Sequence, residues 1–124
     1  MIWAMTTSNA WRYGAAWITI AALAVLSLTP KELMVRTDLG GPAEHVLAYT
    51  GTAFFVAAAY GARRWLGIAI GLIGYAGVLE VLQHLSPGRT PSVRDFACSA
   101  SGVLLGLALF AITDRIVPMR RTGS

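Results

Sequence analysis

Glu80 stands in an otherwise uncharged run, WLGIAIGLIGYAGVLEVLQHL, and Gln83 and His84 follow it at i+3 and i+4. That spacing puts an acid, an amide and an imidazole on one helical face, where they can line a single notch. An ionised side chain within a membrane span costs on the order of 3 kcal/mol on insertion scales, so an acid there calls for a partner or a task. Two readings fit Glu80. It pairs with Arg89 or Arg94 and staples two helix ends together, or it faces a ligand. Arg89, in the SPGRTPS segment, serves in either arrangement or rests among lipid headgroups with its stem on hydrocarbon.

Other polar residues have simpler explanations beside the functional one. Ser92 and Asp95 have capping-box spacing, and an acid in a first turn is favoured by the helix dipole. Glu44, two residues after Pro42, is in a similar first-turn position. His45, Tyr49 and Thr52 recur at i, i+4 and i+7, a polar stripe suited to hydrogen bonds between helices or to ligand contact. The chain has no P-loop, dinucleotide fingerprint, HExxH or nucleophile elbow. Two histidines with scattered acids do not make a metal site, and Cys98, the single cysteine, has no disulfide partner within the chain. Neither a metal nor a cofactor is expected.

The elements that must position these residues follow from composition. Of 124 residues, 56% are hydrophobic and 13% charged, with a mean hydropathy of +0.60. Soluble domains carry about 25% charge, so the natural solvent here is a bilayer. Apolar runs over residues 13–30, 45–62, 65–85 and 96–113 predict an all-α integral membrane protein, a single domain built as an antiparallel bundle of four transmembrane helices. The first run reads as a helix rather than a cleaved leader, because no small-x-small pattern follows Leu26. Thr29, Pro30 and Glu32 order as N-cap, first-turn proline and capping-box acid, predicting a short interfacial helix through KELMVR. Gly67 with Gly71 and Gly102 with Gly106 form two GxxxG pairs, predicting a close approach of the third and fourth helices.

Four spans place Arg12, Arg63, Arg64, Arg115, Arg120 and Arg121 on one side of the membrane and Lys31, Arg36, Arg89 and Arg94 on the other. The positive-inside rule then predicts cytoplasmic termini, including the tail 114–124. His45, Glu80, His84, Arg89 and Asp95 converge on the outer face. Basic residues occur in ones and twos with no stripe to follow phosphates, so nucleic acid is not an expected partner.

The segment GVLEVLQHLSPGRTPSVRDFACSASGVLLG closely resembles the VanZ-like family, whose pattern runs roughly ExxQ, a PGR turn, then D, N, G and G. The resemblance covers about residues 40–110 and sets Glu80, Gln83, Arg89, Asp95, Gly102 and Gly106 on the family's positions, with His45 and Tyr49 on an upstream HxxxY. Ser99 stands where the family usually has Asn, and Gly41 and Pro42 where many members have Asp and Lys. VanZ-like proteins are small bacterial multi-pass membrane proteins, named for a member associated with low-level teicoplanin resistance. The resemblance implies the bacterial cytoplasmic membrane and an envelope-facing role.

The functional expectation is therefore a non-enzymatic protein that binds an envelope lipid or lipid-linked cell-wall intermediate and so limits lipoglycopeptide action. Its site would use His45, Tyr49, Glu80, Gln83, His84, Arg89 and Asp95, with Arg89 engaging a zwitterionic or anionic headgroup. Three alternatives stay open. A membrane enzyme would use Glu80 or His84 as general base near a lipid phosphate. A small proton-coupled exporter fits less well, since such exporters carry their acid mid-membrane in the first helix. A packing subunit, or a homo-oligomer, would dock through the GxxxG faces.

Overall fold

The computed structural model describes residues 7–29, 41–88, 90 and 92–117. Among them there are four long helices and no strand: α1 (Thr7–Leu28), α2 (Gly41–Tyr60), α3 (Trp65–Leu82) and α4 (Val93–Ile116). Short 3-10 turns, Ala62–Arg64 and Gln83–Leu85, extend α3 at both ends. The segment expected to form an interfacial helix lies outside the described residues, as do Arg89 and the chain from residue 118 onward.

Three stretches, Ala10–Leu28, Ala62–Leu85 and Val93–Ile116, are long and apolar enough to cross a membrane. At a rise of about 1.5 Å per residue each approaches or exceeds the roughly 30 Å of hydrocarbon. Helix α4 runs past the uncharged stretch and through Asp114 and Arg115 before it ends. Helix α2 has 20 residues but falls outside this apolar set. Its composition follows from its place. It touches all three other helices, and among residues 42–60 only Leu47 is exposed. A helix so enclosed presents little surface to lipid and can carry Tyr49, Thr50 and Thr52. The two threonines satisfy their hydroxyls within the helix, on the carbonyls of Val46 and Ala48.

The core is a stripe from each helix. Ala16 and Leu23 of α1 meet Tyr49, Ala53, Val56 and Ala57 of α2, while α3 contributes Leu72, Ala76 and Leu79 and α4 contributes Val103, Leu107 and Phe110. The opposite faces carry exposed Trp17, Ile18, Val25, Ile70, Val78, Leu104, Leu105 and Ile112. That outer surface is apolar where a water-soluble protein would be charged, which agrees with three helices suited to lipid.

The tightest contact joins α4 to α2. A Cβ added at Gly102 would lie 2.6 Å from the Val46 carbonyl oxygen and 3.0 Å from Tyr49 Cβ. One added at Gly106 would collide with the Thr50 carbonyl oxygen and with Ala53 Cβ. Residues 102 and 106 thus follow 46–50 and 50–53 in the same order, so α2 and α4 run in the same direction. The expectation that the two GxxxG pairs bring α3 and α4 together is corrected here. Gly102 and Gly106 seat on α2, whereas Gly67 and Gly71 are exposed, with nothing near their Cβ positions. The spacing identified which helices have small-residue faces, but a face has no address until the neighbouring helices claim it.

Two connections align the remaining ends. Gly61 adopts φ 96°, a positive value that favours glycine, and there α2 stops and the chain enters the Ala62–Arg64 turn, which also touches α4. At that same end, Trp17 Nε1–H donates to Tyr60 Oη at 2.9 Å, and the Tyr13 and Tyr60 rings meet edge to face. At the other end Ser86 Oγ donates to the Leu28 carbonyl at 2.8 Å, supplying one of the hydrogen bonds missing from the last turn of α1.

The α2–α4 contact gives a direct stability prediction. Gly106→Ala is expected to lower stability in detergent by about 1–3 kcal/mol or more through overpacking against the Thr50 backbone. Gly71→Ala should be neutral or stabilising by up to about 1 kcal/mol, because it gains helix propensity without meeting a neighbour. Thermal unfolding followed by circular dichroism distinguishes the two, and equal effects would refute the assigned contact.

Candidate functional site

One end of the molecule gathers most of the buried polar side chains. There the C-terminal ends of α1 and α3 meet the N-terminal ends of α2 and α4, bringing Ser27, His45, Tyr49, Glu80, Gln83 and Ser99 together with the cap residue Ser92. Ser27, Glu80, Gln83 and Ser99 are all buried, with Gln83 and Ser99 each only 2% exposed.

Ser99 is the junction. Its hydroxyl donates to the Asp95 carbonyl at 3.0 Å, the helical back-bond available four residues upstream. Its lone pairs then face other donors, and His45 Nδ1 lies 3.1 Å away. With the serine proton already committed, this pattern assigns the proton of that contact to His45 Nδ1 and leaves Nε2 for another partner. The Tyr49 phenol lies beside Ser99 and beside Ser27 of α1. Hydroxyl groups from three helices thus gather around Ser99, and the His45 imidazole bonds it across the α2–α4 contact.

Glu80 ties α3 to α4 by a different route. Its Oε1 accepts the backbone N–H of Ser92 at 2.8 Å, while the Ser92 hydroxyl accepts Asp95 N–H at 3.1 Å. Ser92 has extended backbone geometry and is the N-cap of α4, as the capping-box spacing predicts. In a reciprocal box the acid at Asp95 would take the Ser92 N–H. Here an acid from another helix takes it. The staple expected of Glu80 is thus made to the α4 backbone, with no described ion pair to Arg94, while Arg89 lies outside the described residues.

The predicted Glu80, Gln83 and His84 face divides. Gln83 continues the inward stripe of Leu72, Ala76 and Leu79, and its Nε2 is buried with no hydrogen-bond partner among the described residues. His84 is exposed and turns to the side. It lines a shallow lateral groove of about 330 Å³ with Gly77, Glu80, Val81, Ser92, Val93 and Phe96. Glu80 therefore has two roles in the layout: it closes the α4 cap and it forms part of the groove wall. Asp95 is half-buried on the cap, and no described bond brings its carboxylate to His45 or Glu80.

Sequence reasoning passed over Ser27 and treated Ser99 only as a replacement for Asn. Both were within reach of a helical reading, because Ser99 heads the α4 stripe through Gly102, Val103, Gly106 and Phe110, and Ser27 ends the α1 stripe through Ala16 and Leu23. No group of three or more metal-binding side chains occurs among the described residues.

Fold and site together describe a small all-helical protein with three helices suited to crossing a membrane and a polar cluster at one end. No protein-family model, curated protein or solved structure matches the chain.

Replacing Glu80 separates its charge from its hydrogen bond. Glu80→Gln keeps an oxygen acceptor for Ser92 N–H, whereas Glu80→Ala leaves that donor without one. Glu80→Ala should be the less stable by about 1–3 kcal/mol, the usual cost of an orphaned buried polar group. Equal thermal stability of the two variants in detergent would show that the cap bond does not hold the helix ends together.

Proposed function

We propose that this chain is a VanZ-like multi-pass protein of the bacterial cytoplasmic membrane, in which all four helices cross the bilayer in alternating directions. In this reading the Glu80 end faces outward and binds an envelope lipid or lipid-linked cell-wall intermediate. The observation that carries the reading is the combination at that end: a lateral groove open to the surroundings, walled by apolar side chains and reached by a buried acid. A groove that opens sideways from lipid-compatible helices suits a ligand arriving from within the bilayer.

Helix α2 fits as a fourth span despite its polarity, since its neighbours enclose it and its hydroxyls are bonded internally. Arg12, Arg63, Arg64 and Arg115 lie toward the opposite end of the helices, where positive charge favours the cytoplasm. Exposed Trp11 and Trp65 occur toward the same end, as interfacial anchors do. Binding without turnover is the simpler chemistry here. A Ser99 hydroxyl that is buried and donates to a carbonyl is poorly placed as a nucleophile.

Two measurements test the proposal. In a Cys98→Ser background, Pro87→Cys should react with an impermeant thiol reagent in intact cells. Reaction only after permeabilisation would reverse the orientation. In a sensitive bacterial host at matched membrane abundance, the wild type should reduce lipoglycopeptide susceptibility, and Glu80→Gln, Arg89→Ala and Asp95→Asn should each weaken the protection. No protection by the wild type would overturn the envelope role, and undiminished protection by the variants would overturn the site.

A further inference from the structure

The lateral groove has a definite polarity. Gly77, Val81, Val93 and Phe96 make its apolar part, and Glu80, His84 and Ser92 supply its polar groups. A side chain at Gly77 would start 3.4 Å from the Phe96 ring, so the glycine leaves that aromatic surface open to the groove. Each of the three polar residues can accept a hydrogen bond, through a carboxyl oxygen, an imidazole nitrogen or a hydroxyl oxygen. Among the described residues, no lysine or arginine lines the groove. Glu80 is also nine-tenths buried, and its described partner, the Ser92 N–H, is a neutral donor. The groove wall therefore presents a buried carboxyl group and further acceptors, with no lysine or arginine set against them among the described residues. A volume of about 330 Å³ is at the small end of ligand pockets, enough for a headgroup and the start of a chain rather than a whole lipid.

We propose that this groove takes an amphiphile whose headgroup carries a primary ammonium. The ammonium sits on the Glu80 carboxylate with His84 and Ser92 as further acceptors, and the hydrocarbon lies along Gly77, Val81, Val93 and Phe96. This rests on the reading of the Glu80 end as a lipid-facing ligand site, and it names the ligand class. A primary ammonium brings three N–H donors and the complementary charge, so its bonds to the carboxylate are charge-assisted. An anionic headgroup with only hydroxyls can donate O–H to the acid, but it brings like charge and lacks the opposite charge of the ammonium.

The test uses the full chain purified in detergent, with lysophosphatidylethanolamine and lysophosphatidylglycerol of one acyl chain as probes and calorimetric titration as the readout. The ethanolamine lipid should bind about tenfold more tightly, equivalent to about 1.4 kcal/mol. Glu80→Gln, which keeps an acceptor for Ser92 N–H, should bring the two affinities together. Val93→Trp, at an exposed position on the groove wall, should weaken both probes without unfolding the protein. Equal binding of both probes by the wild type, or a preference that survives Glu80→Gln, overturns the headgroup assignment. If affinity still falls in Val93→Trp, the groove stands as a lipid site of another class. Binding of neither probe, or binding indifferent to Val93→Trp, overturns the groove as a ligand site together with the headgroup assignment.

Discussion

The close approach of α4 to α2 is the constraint on which the rest of this structure depends. Within lipid, burying an apolar side chain against a neighbouring helix gains little over leaving it in hydrocarbon, so association relies on backbone proximity and interhelical hydrogen bonds. Gly102 and Gly106 allow that proximity by placing hydrogen where a methyl group would strike the Val46 and Thr50 carbonyls. The same register locates the polar site. Ser99 is one turn before Gly102 and His45 directly precedes Val46, so seating the glycines brings Ser99 against His45 and Tyr49. Widening this contact by the thickness of a side chain would break the His45–Ser99 bond as well as open the core.

The second level of organisation is the exchange of hydrogen-bonding duties between helices. A helix begins with unpaired N–H groups and ends with unpaired carbonyls, and both are costly where water is scarce. Here the chain satisfies part of that need from other elements. Ser86, past the end of α3, donates to the last residue of α1, and Glu80 accepts from the cap residue of α4. Each bond is modest alone. Together they hold the ends of three helices in one arrangement, so the groove beside Glu80 is built from elements whose relative positions are fixed by the bonds that also satisfy their termini.

How much of this was legible in the sequence depended on whether the signal was local. Helix existence and approximate extent followed from long apolar runs, and the Ser92 cap from a spacing of three residues. Glu80 attracted attention because an acid in an apolar run is costly wherever it lies. Pairings were less accessible. Gly67 and Gly71 have the same spacing as Gly102 and Gly106, yet only the latter pair is covered, because the choice depends on how four helices are rotated against one another. The division of Glu80 and Gln83 from His84 has the same origin: residues at i, i+3 and i+4 share a face, but a neighbouring helix can divide that face into buried and exposed halves. Serines such as Ser27 and Ser99 give almost no signal until a partner is beside them.

Helix α2 falls outside the set of helices apolar enough to cross a membrane, and the physical reason bears on where the polar cluster sits. A span is selected by lipid only on the surface that lipid sees, so a helix enclosed by others can spend its interior positions on polar groups if each finds a partner. Thr50 and Thr52 do so within the helix, and His45 does so across helices. Their distribution is uneven along α2: residues 53–59 are alanine, phenylalanine and valine, while the half toward Gly41 holds His45, which bonds Ser99, and Tyr49 beside it. Polarity therefore increases toward the end where α4 begins and Glu80 reaches its cap. The acid at that end is one turn from the end of its helix rather than amid its apolar run. The gradient along the enclosed helix and the acid on the groove wall are two expressions of one arrangement, in which an apolar half packs the helices together and a polar half orders the end that carries the groove.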